Sequence, residues 1–319
     1  MLVVISHIIC DLTTLKKLLR EVSELYDGNP LAPVAKTYFQ TSWTIPAIPC
    51  HLSFWSHWLA NSPPSRFSVG NNIHRKTWAG SSHLGPVQSK TYLDMLQFGV
   101  AHKVSMHQLA LAAVALALQH DEDACDITLG APYLNRNSQE DLTTIGLFLE
   151  PLPIRIEYPY TRQNLNWSGN VHPGLQKDST SDNFIQVVKQ SSRAALSHAI
   201  PWDQLLSHLN VQTDFPNHPI FDVMVTFHEA DHELQFPVDG VEFVPTWTVG
   251  AKFKLMAEFT ARKNGGLTLR LEYSVECFTL AEVELVAEPI IEALSSLTSG
   301  DDFMAILHKL RYLKVQCVR

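Results

Sequence analysis

Leu2-Val3-Val4-Ile5-Ser6-His7-Ile8-Ile9-Cys10-Asp11-Leu12 is the stretch from which the rest of the chain is read. Leu2 to Ile9 is apolar apart from Ser6 and His7, which predicts a short buried strand. The period then changes. Leu12, Leu15, Leu18, Leu19, Val22 and Leu25 recur at helical spacing, with Lys16, Lys17, Arg20, Glu21 and Glu24 on the opposite face. Asp27-Gly28 ends that helix, because glycine accepts the left-handed angles of a helix stop. His7 and Asp11 therefore stand at a strand-to-helix turn. Read singly, His7 is a core histidine and Asp11 a helix N-cap. Ser6 beside His7 suggests a nucleophile and its base. However, no Gly-x-Ser-x-Gly elbow surrounds the pair, and adjacent strand residues point to opposite faces.

Beyond this helix, Asn29 to Pro49 is a proline-rich loop, and Leu52 to Leu59 a short helix carrying Phe54, Trp55 and Trp58. Those rings read as packing rather than a substrate box. Asn61 to Gly85 is polar and rich in Pro and Gly, a linker between an N-terminal part, 1–75, and a C-terminal part, 76–319. Ser89 to His102 reads as a helix. Ser105 and Gln108 form a capping box for the next one, Met106 to Gln119, which is apolar on nearly every face and should be buried. Strands are expected at Asp126–Gly130, Leu152–Tyr158, Phe221–Phe227 and Leu267–Tyr273. Helices are expected at Asn183–Ala199 and Phe278–Ser296, and a polar insertion at Thr161–Asp182. Strands and helices interleave, which predicts the α/β class.

The bulk numbers exclude more than they assign. A net charge of -8 offers no basic face for nucleic acid. The five cysteines, at 10, 50, 125, 277 and 317, are odd in number and lack metal-ligand spacing, so reduced thiols and no metal site are expected. No charged leader precedes the apolar start, and the longest apolar run, Leu109 to Leu118, falls short of the ~20 residues that span a bilayer. The expectation is a cytoplasmic chain that crosses no membrane.

Ser6 to Leu12 resembles the HHxxxDG signature of condensation domains from nonribosomal peptide synthetases, and further stretches resemble that family in the same order. Phe54-Trp55-Ser56-His57-Trp58-Leu59 is similar to its aromatic motif, and Leu129 to Asn137 to its GSPxANR segment. Ile145 to Arg155 is similar to IGxFVNTLPLR, Ile200 to Leu206 to VPFExLV, and Asn217 to Val225 to RHPLFQVMF. Ala251 to Leu255 resembles AKFDL, and Leu271-Glu272-Tyr273 with Phe278 resembles LEYxxxLF.

The resemblance implies an α/β sandwich of the chloramphenicol acetyltransferase type, two lobes forming a V around a tunnel. It implies amide formation between a carrier-bound acyl or peptidyl thioester and an aminoacyl amine, in secondary-metabolite biosynthesis. No intrinsic cofactor is implied, since 4'-phosphopantetheine belongs to the partner carrier proteins. His7 matches the family's reacting histidine, a general base or amine-positioning group. An imidazole titrates near pH ~6.5 and can share a proton at cytosolic pH. Asp11 matches the aspartate that holds the histidine loop through an arginine. Arg136 is the candidate partner, with a plain surface ion pair as its other reading.

The chain also departs from the pattern. Ser6 replaces the first histidine, and Leu12 replaces a glycine whose backbone freedom leucine lacks. A complete domain has further strands and helices before the motif, so the resemblance implies a first lobe incomplete here, its strand Leu2–Ile9 short of neighbours. Two other readings stay open. One is a catalytically inactive remnant serving as a structural or docking module. The other is a free-standing acyl-CoA-dependent acyltransferase, against which stands the absence of a DFGWG motif.

Overall fold

A computed structural model describes residues 5–34, 36–40, 48–62, 70, 73–119, 125–158, 181–230 and 249–316. Its centre is a mixed sheet with strand order β1-β6-β5-β4-β2-β3. The strands are β1 Gly80–Val87, β2 Asp126–Leu134, β3 Leu149–Glu157, β4 Val223–His228, β5 Leu255–Ala261 and β6 Leu267–Ser274. β4 runs parallel to β2 and β5, and the other neighbours are antiparallel. The helices are α1 Leu12–Tyr26, α2 Pro49–Trp58, α3 Ser89–His102, α4 Met106–Leu118, α5 Gln139–Thr143, α6 Ser181–Ser197, α7 Trp202–Leu209, α8 Leu280–Ser299 and α9 Phe303–Gln316. This is the α/β class expected from the interleaved pattern.

Alternation along the strands separates two faces. Leu255, Ala257 and Phe259 of β5, with Leu267, Leu269 and Leu271 of β6, are buried in the main core under the helices. Their alternates are polar except Met256, which packs with Phe221 and Met224 on the other face. Glu258 lies directly across from Arg270 and pairs with it at 2.9 Å, and Arg270 also reaches Glu272 at 3.4 Å. α4 runs through the core against α3, α6, α8, α9 and β4, and every residue from Leu109 to Leu118 is buried. Its expected capping box is present: the Ser105 hydroxyl accepts the Gln108 N–H at 3.1 Å, and the Gln108 side chain accepts the Ser105 N–H at 3.0 Å. No single described helix is long and apolar enough to cross a membrane. α3 and α4 reach that length only together, bent by 112°.

Two expectations need correction. The buried strand over Leu2–Ile9 is absent from its described part. His7–Ile9 instead form a 3-10 turn capped by Ser6, with Ile8 and Ile9 exposed. An apolar run forms a strand only against a ladder partner. Without one among the described residues, the backbone bonds itself locally, Ile9 N–H to Ser6 O at 3.2 Å. The second correction concerns the linker over Asn61–Gly85, whose end is strand β1. Gly, Ser and Pro disfavour strands, but β1 is an edge. There β6 supplies the ladder and Pro86 is tolerated. Gly80 also lies so close to Ala251 that a Cβ would meet its backbone nitrogen at 2.4 Å. Residues 161–180 of the expected insertion lie outside the described ones.

On the sheet's second face, Trp202, His218, Phe221 and Phe253 cluster, with His218 and Phe221 ring centroids 3.7 Å apart. Burial there, aided by the nearby Arg75 cation, pushes the His218 imidazole down to about 3. The folded state therefore keeps this ring neutral at pH values where the unfolded chain protonates it. The stability it contributes is complete above pH ~6.5 and is lost as pH falls toward 3. Conversion at 1.36 kcal/mol per unit puts the loss on the order of 4 kcal/mol. Urea unfolding of wild type and His218→Phe across that range should show the variant with a flatter acid limb.

Candidate functional site

A dense cluster of buried polar groups forms at the start of α1. Asp11 is both N-cap and ion-pair partner, so its helical reading and its family reading both describe contacts that exist. Its Oδ1 accepts the Thr14 N–H at 2.8 Å. Arg136, just after β2, donates Nη2 to Oδ1 at 2.8 Å and to Oδ2 at 2.9 Å, and Nε to Oδ2 at 3.2 Å. The Phe148 N–H adds a further bond at 3.2 Å. Both side chains are sealed from solvent, at 0% and 1% exposure for Arg136 and Asp11, which rules out a surface ion pair. Burial alone would raise the Asp11 carboxyl. The bonds from Arg136, Thr14 and Phe148 outweigh it and hold the group below the usual carboxylate range.

The guanidinium has no spare donors. Its Nη1 reaches the carbonyls of Asp141 and of Thr144, the latter at 2.8 Å, and its Nη2 also reaches the Thr14 hydroxyl and Gly146 O. Its carbon lies 4.0 Å from the Phe148 ring centre, a stacked cation. Tyr38 closes the other side. Its ring meets Phe148 edge-on at 5.3 Å, and its hydroxyl donates to Leu147 O at 2.6 Å. A Cβ on Gly146 would lie 1.9 Å from the Tyr38 ring, so only glycine fits there. Gly146→Ala is expected to cost about 1–3 kcal/mol by overpacking, read as a lowered urea midpoint. An unchanged midpoint would show that Tyr38 swings aside freely.

His7 lies on the outer side of this cluster. The ring is exposed, not a core histidine. Its Nδ1 lies 2.7 Å from Cys10 O. A carbonyl can only accept, so Nδ1 carries the proton in the neutral ring, and Nε2 keeps its lone pair with no partner among the described residues. Cys10 joins this carbonyl directly to Asp11, so the peptide that sets the imidazole is continuous with the carboxylate held by Arg136. Ser6 serves the turn, its hydroxyl accepting the Ile8 N–H at 3.4 Å. Leu12 takes the first helical position without positive φ, so glycine's freedom is not needed there.

The structure thus joins Asp11 to Arg136, and places Ser6, His7 and Leu12 along the adjoining turn. Thr14, Gly146 and Phe148 belong to the same cluster; Gly146 and Phe148 fall in the Ile145–Arg155 motif match, which assigned them no role, and Thr14 lies outside every residue named from the sequence. Thr14 carried one usable signal, its place three residues after a capping aspartate. Trp55 of the aromatic motif is fully buried and donates its indole N–H to His198 O at 2.7 Å, a packing role. Among the described residues no group of three or more His, Cys, Asp or Glu could hold a metal ion.

The family model for the condensation domain matches residues 1–302. The nonribosomal peptide synthetase ataP of Aspergillus terreus is 41% identical over 311 residues, 97% of this chain and 19% of that protein. The nonribosomal peptide synthetase aclP of Aspergillus oryzae is 40% identical over 303 residues, 93% of this chain and 18% of that protein. The chain thus spans about a fifth of the length of these curated relatives. Among solved structures, the X-domain from teicoplanin biosynthesis superposes with a TM-score of 0.76 at 17% identity, covering 93% of this chain and 69% of that one. The condensation domain from the monacolin K polyketide synthase MokA gives 0.72 at 16%, covering 92% and 68%. At such identities these likenesses speak for the fold alone.

Proposed function

The chain belongs to the condensation-domain family, and from that premise we propose that it joins a carrier-bound acyl or peptidyl thioester to the amine of an aminoacyl acceptor. The observation that carries this reading is the His7 ring, exposed and bonded through Nδ1, with Nε2 free to accept a proton. As the amine attacks the thioester carbonyl, the C–N bond forms and the C–S bond breaks. The proton leaving nitrogen passes to Nε2 and returns to the departing thiolate. Asp11 and Arg136 do not enter this exchange; they hold the turn that presents the ring.

The partners in this reading are carrier-protein domains, whose phosphopantetheine arms bring both substrates. The protein has no cofactor of its own, and neither nucleic acid nor membrane takes part. The setting is secondary-metabolite synthesis in the cytoplasm. Residues 1–75 belong to an N-terminal lobe and 76–319 to a C-terminal one. The test supplies an acyl-loaded donor carrier and an aminoacyl-loaded acceptor carrier and reads the acceptor by intact-protein mass spectrometry. The expected result is the acylated aminoacyl species on the acceptor. Product from acyl-CoA alone would move the chain to the free-standing acyltransferases. No product from either donor would leave the docking-module reading.

A further inference from the structure

Thr14 is 1% exposed, yet its hydroxyl is bonded to capacity. It donates to Gly146 O at 2.7 Å, and it accepts from the Gly146 N–H at 3.0 Å and from Arg136 Nη2 at 3.0 Å. One proton and two lone pairs are the whole inventory of a hydroxyl. Thr14 also donates its backbone N–H to Asp11. It is therefore the residue of α1 that bonds every arm of the cluster: the capping carboxylate, the guanidinium and the 144–148 segment.

We propose that the Thr14 hydroxyl is a positioning group for His7, fixing the peptide at Cys10–Asp11 whose carbonyl selects the imidazole tautomer. This rests on the reading of His7 as proton acceptor. Without the hydroxyl, the Gly146 N–H loses its partner, the Gly146 carbonyl keeps only Arg136 Nη2 at 3.1 Å, and Arg136 loses one acceptor. The guanidinium must then shift toward other acceptors. Asp11 follows through its paired bonds, and the Cys10 carbonyl turns with it. The bond to His7 Nδ1 is the next contact along the chain and the one most exposed to water, so the ring loses its fixed tautomer first.

Three variants separate this from simple packing: Thr14→Val keeps the shape without the hydroxyl, Thr14→Ser keeps the hydroxyl without the methyl, and Thr14→Cys offers a weak donor. Two readouts apply. The first is the long-range ¹H–¹⁵N spectrum of ring-labelled histidine, taken where His7 is neutral, which reports the tautomer without any turnover. The second is the condensation rate, with kcat and KM for the acceptor carrier determined separately. The expected result is an Nδ1-protonated ring in wild type and Thr14→Ser, and mixed tautomers in Thr14→Val and Thr14→Cys. The latter two should lose about tenfold or more in kcat, as misplacement of a reacting group does, with KM little changed.

An unchanged His7 spectrum in Thr14→Val overturns the proposal, as does Thr14→Ser behaving like Thr14→Val. If Thr14→Val does not fold, identical ring spectra in Thr14→Ser and Thr14→Cys overturn it. A His7→Ala variant as active as wild type would sink the proton-acceptor reading instead, and the tautomer spectra would still decide the positioning claim.

Discussion

Replacing His7 by alanine is expected to lower the condensation rate about 10²–10⁴-fold, the range for loss of a positioned general base, while stability stays within about 0.5 kcal/mol of wild type. The two halves of this expectation have separate causes. The ring is exposed, and its bond to Cys10 O lies within its own turn, so removing it opens no cavity and strands no buried group. Nε2, in contrast, is the nitrogen in the turn with a lone pair to offer. Single-turnover transfer between loaded carriers measures the first half and urea unfolding the second. Equal rates for variant and wild type would remove the imidazole from the chemistry.

Arg136→Ala should do the reverse, striking stability first, with a loss of about 3–5 kcal/mol. A buried ion pair contributes little net stability when intact, because desolvation offsets attraction, but half of one is costly. Asp11 would be left at 3% exposure with only two N–H donors, and the carbonyls of Asp141 and Thr144 would lose their guanidinium partner. Phe148 would lose the cation stacked on its ring. Arg136→Lys keeps the charge but not the fork, so it should fall between wild type and alanine. Urea denaturation gives the numbers, and a loss under about 1 kcal/mol would mean that the cluster repacks around the gap.

Much of this was legible in the sequence, unevenly so. Segments whose burial is written into their own composition announced themselves. The leucine-rich run of α4 and its Ser105–Gln108 box gave the core helix nearly to the residue, and the ordered motifs pointed to Arg136 as the partner of Asp11. What failed to show was structure imposed from outside the segment. β1 carries glycine, serine and proline and is a strand because β6 pairs with it. β5, Leu255–Ala261, mixes strong helix formers with Phe and Thr and went unnoticed, yet it is flanked by β4 and β6. The converse error lies at residues 5–9, where an apolar run looked like a strand and is a turn for want of a partner among the described residues. The Thr14–Gly146 contact was hidden for a related reason. It joins positions 132 apart in sequence, and no local pattern encodes such a bond.

In the proposed mechanism the Asp11–Arg136 pair serves the chemistry through His7 and by no other route. A double-mutant cycle on the condensation rate tests it, using His7→Ala and Asp11→Asn, which keeps the side chain's shape and a capping oxygen while removing its charge. The expected result is that Asp11→Asn slows the reaction in the wild-type background but adds no further loss once His7 is alanine. Losses that multiply in the double variant would show the carboxylate acting on the reaction independently of the imidazole, and would contradict it.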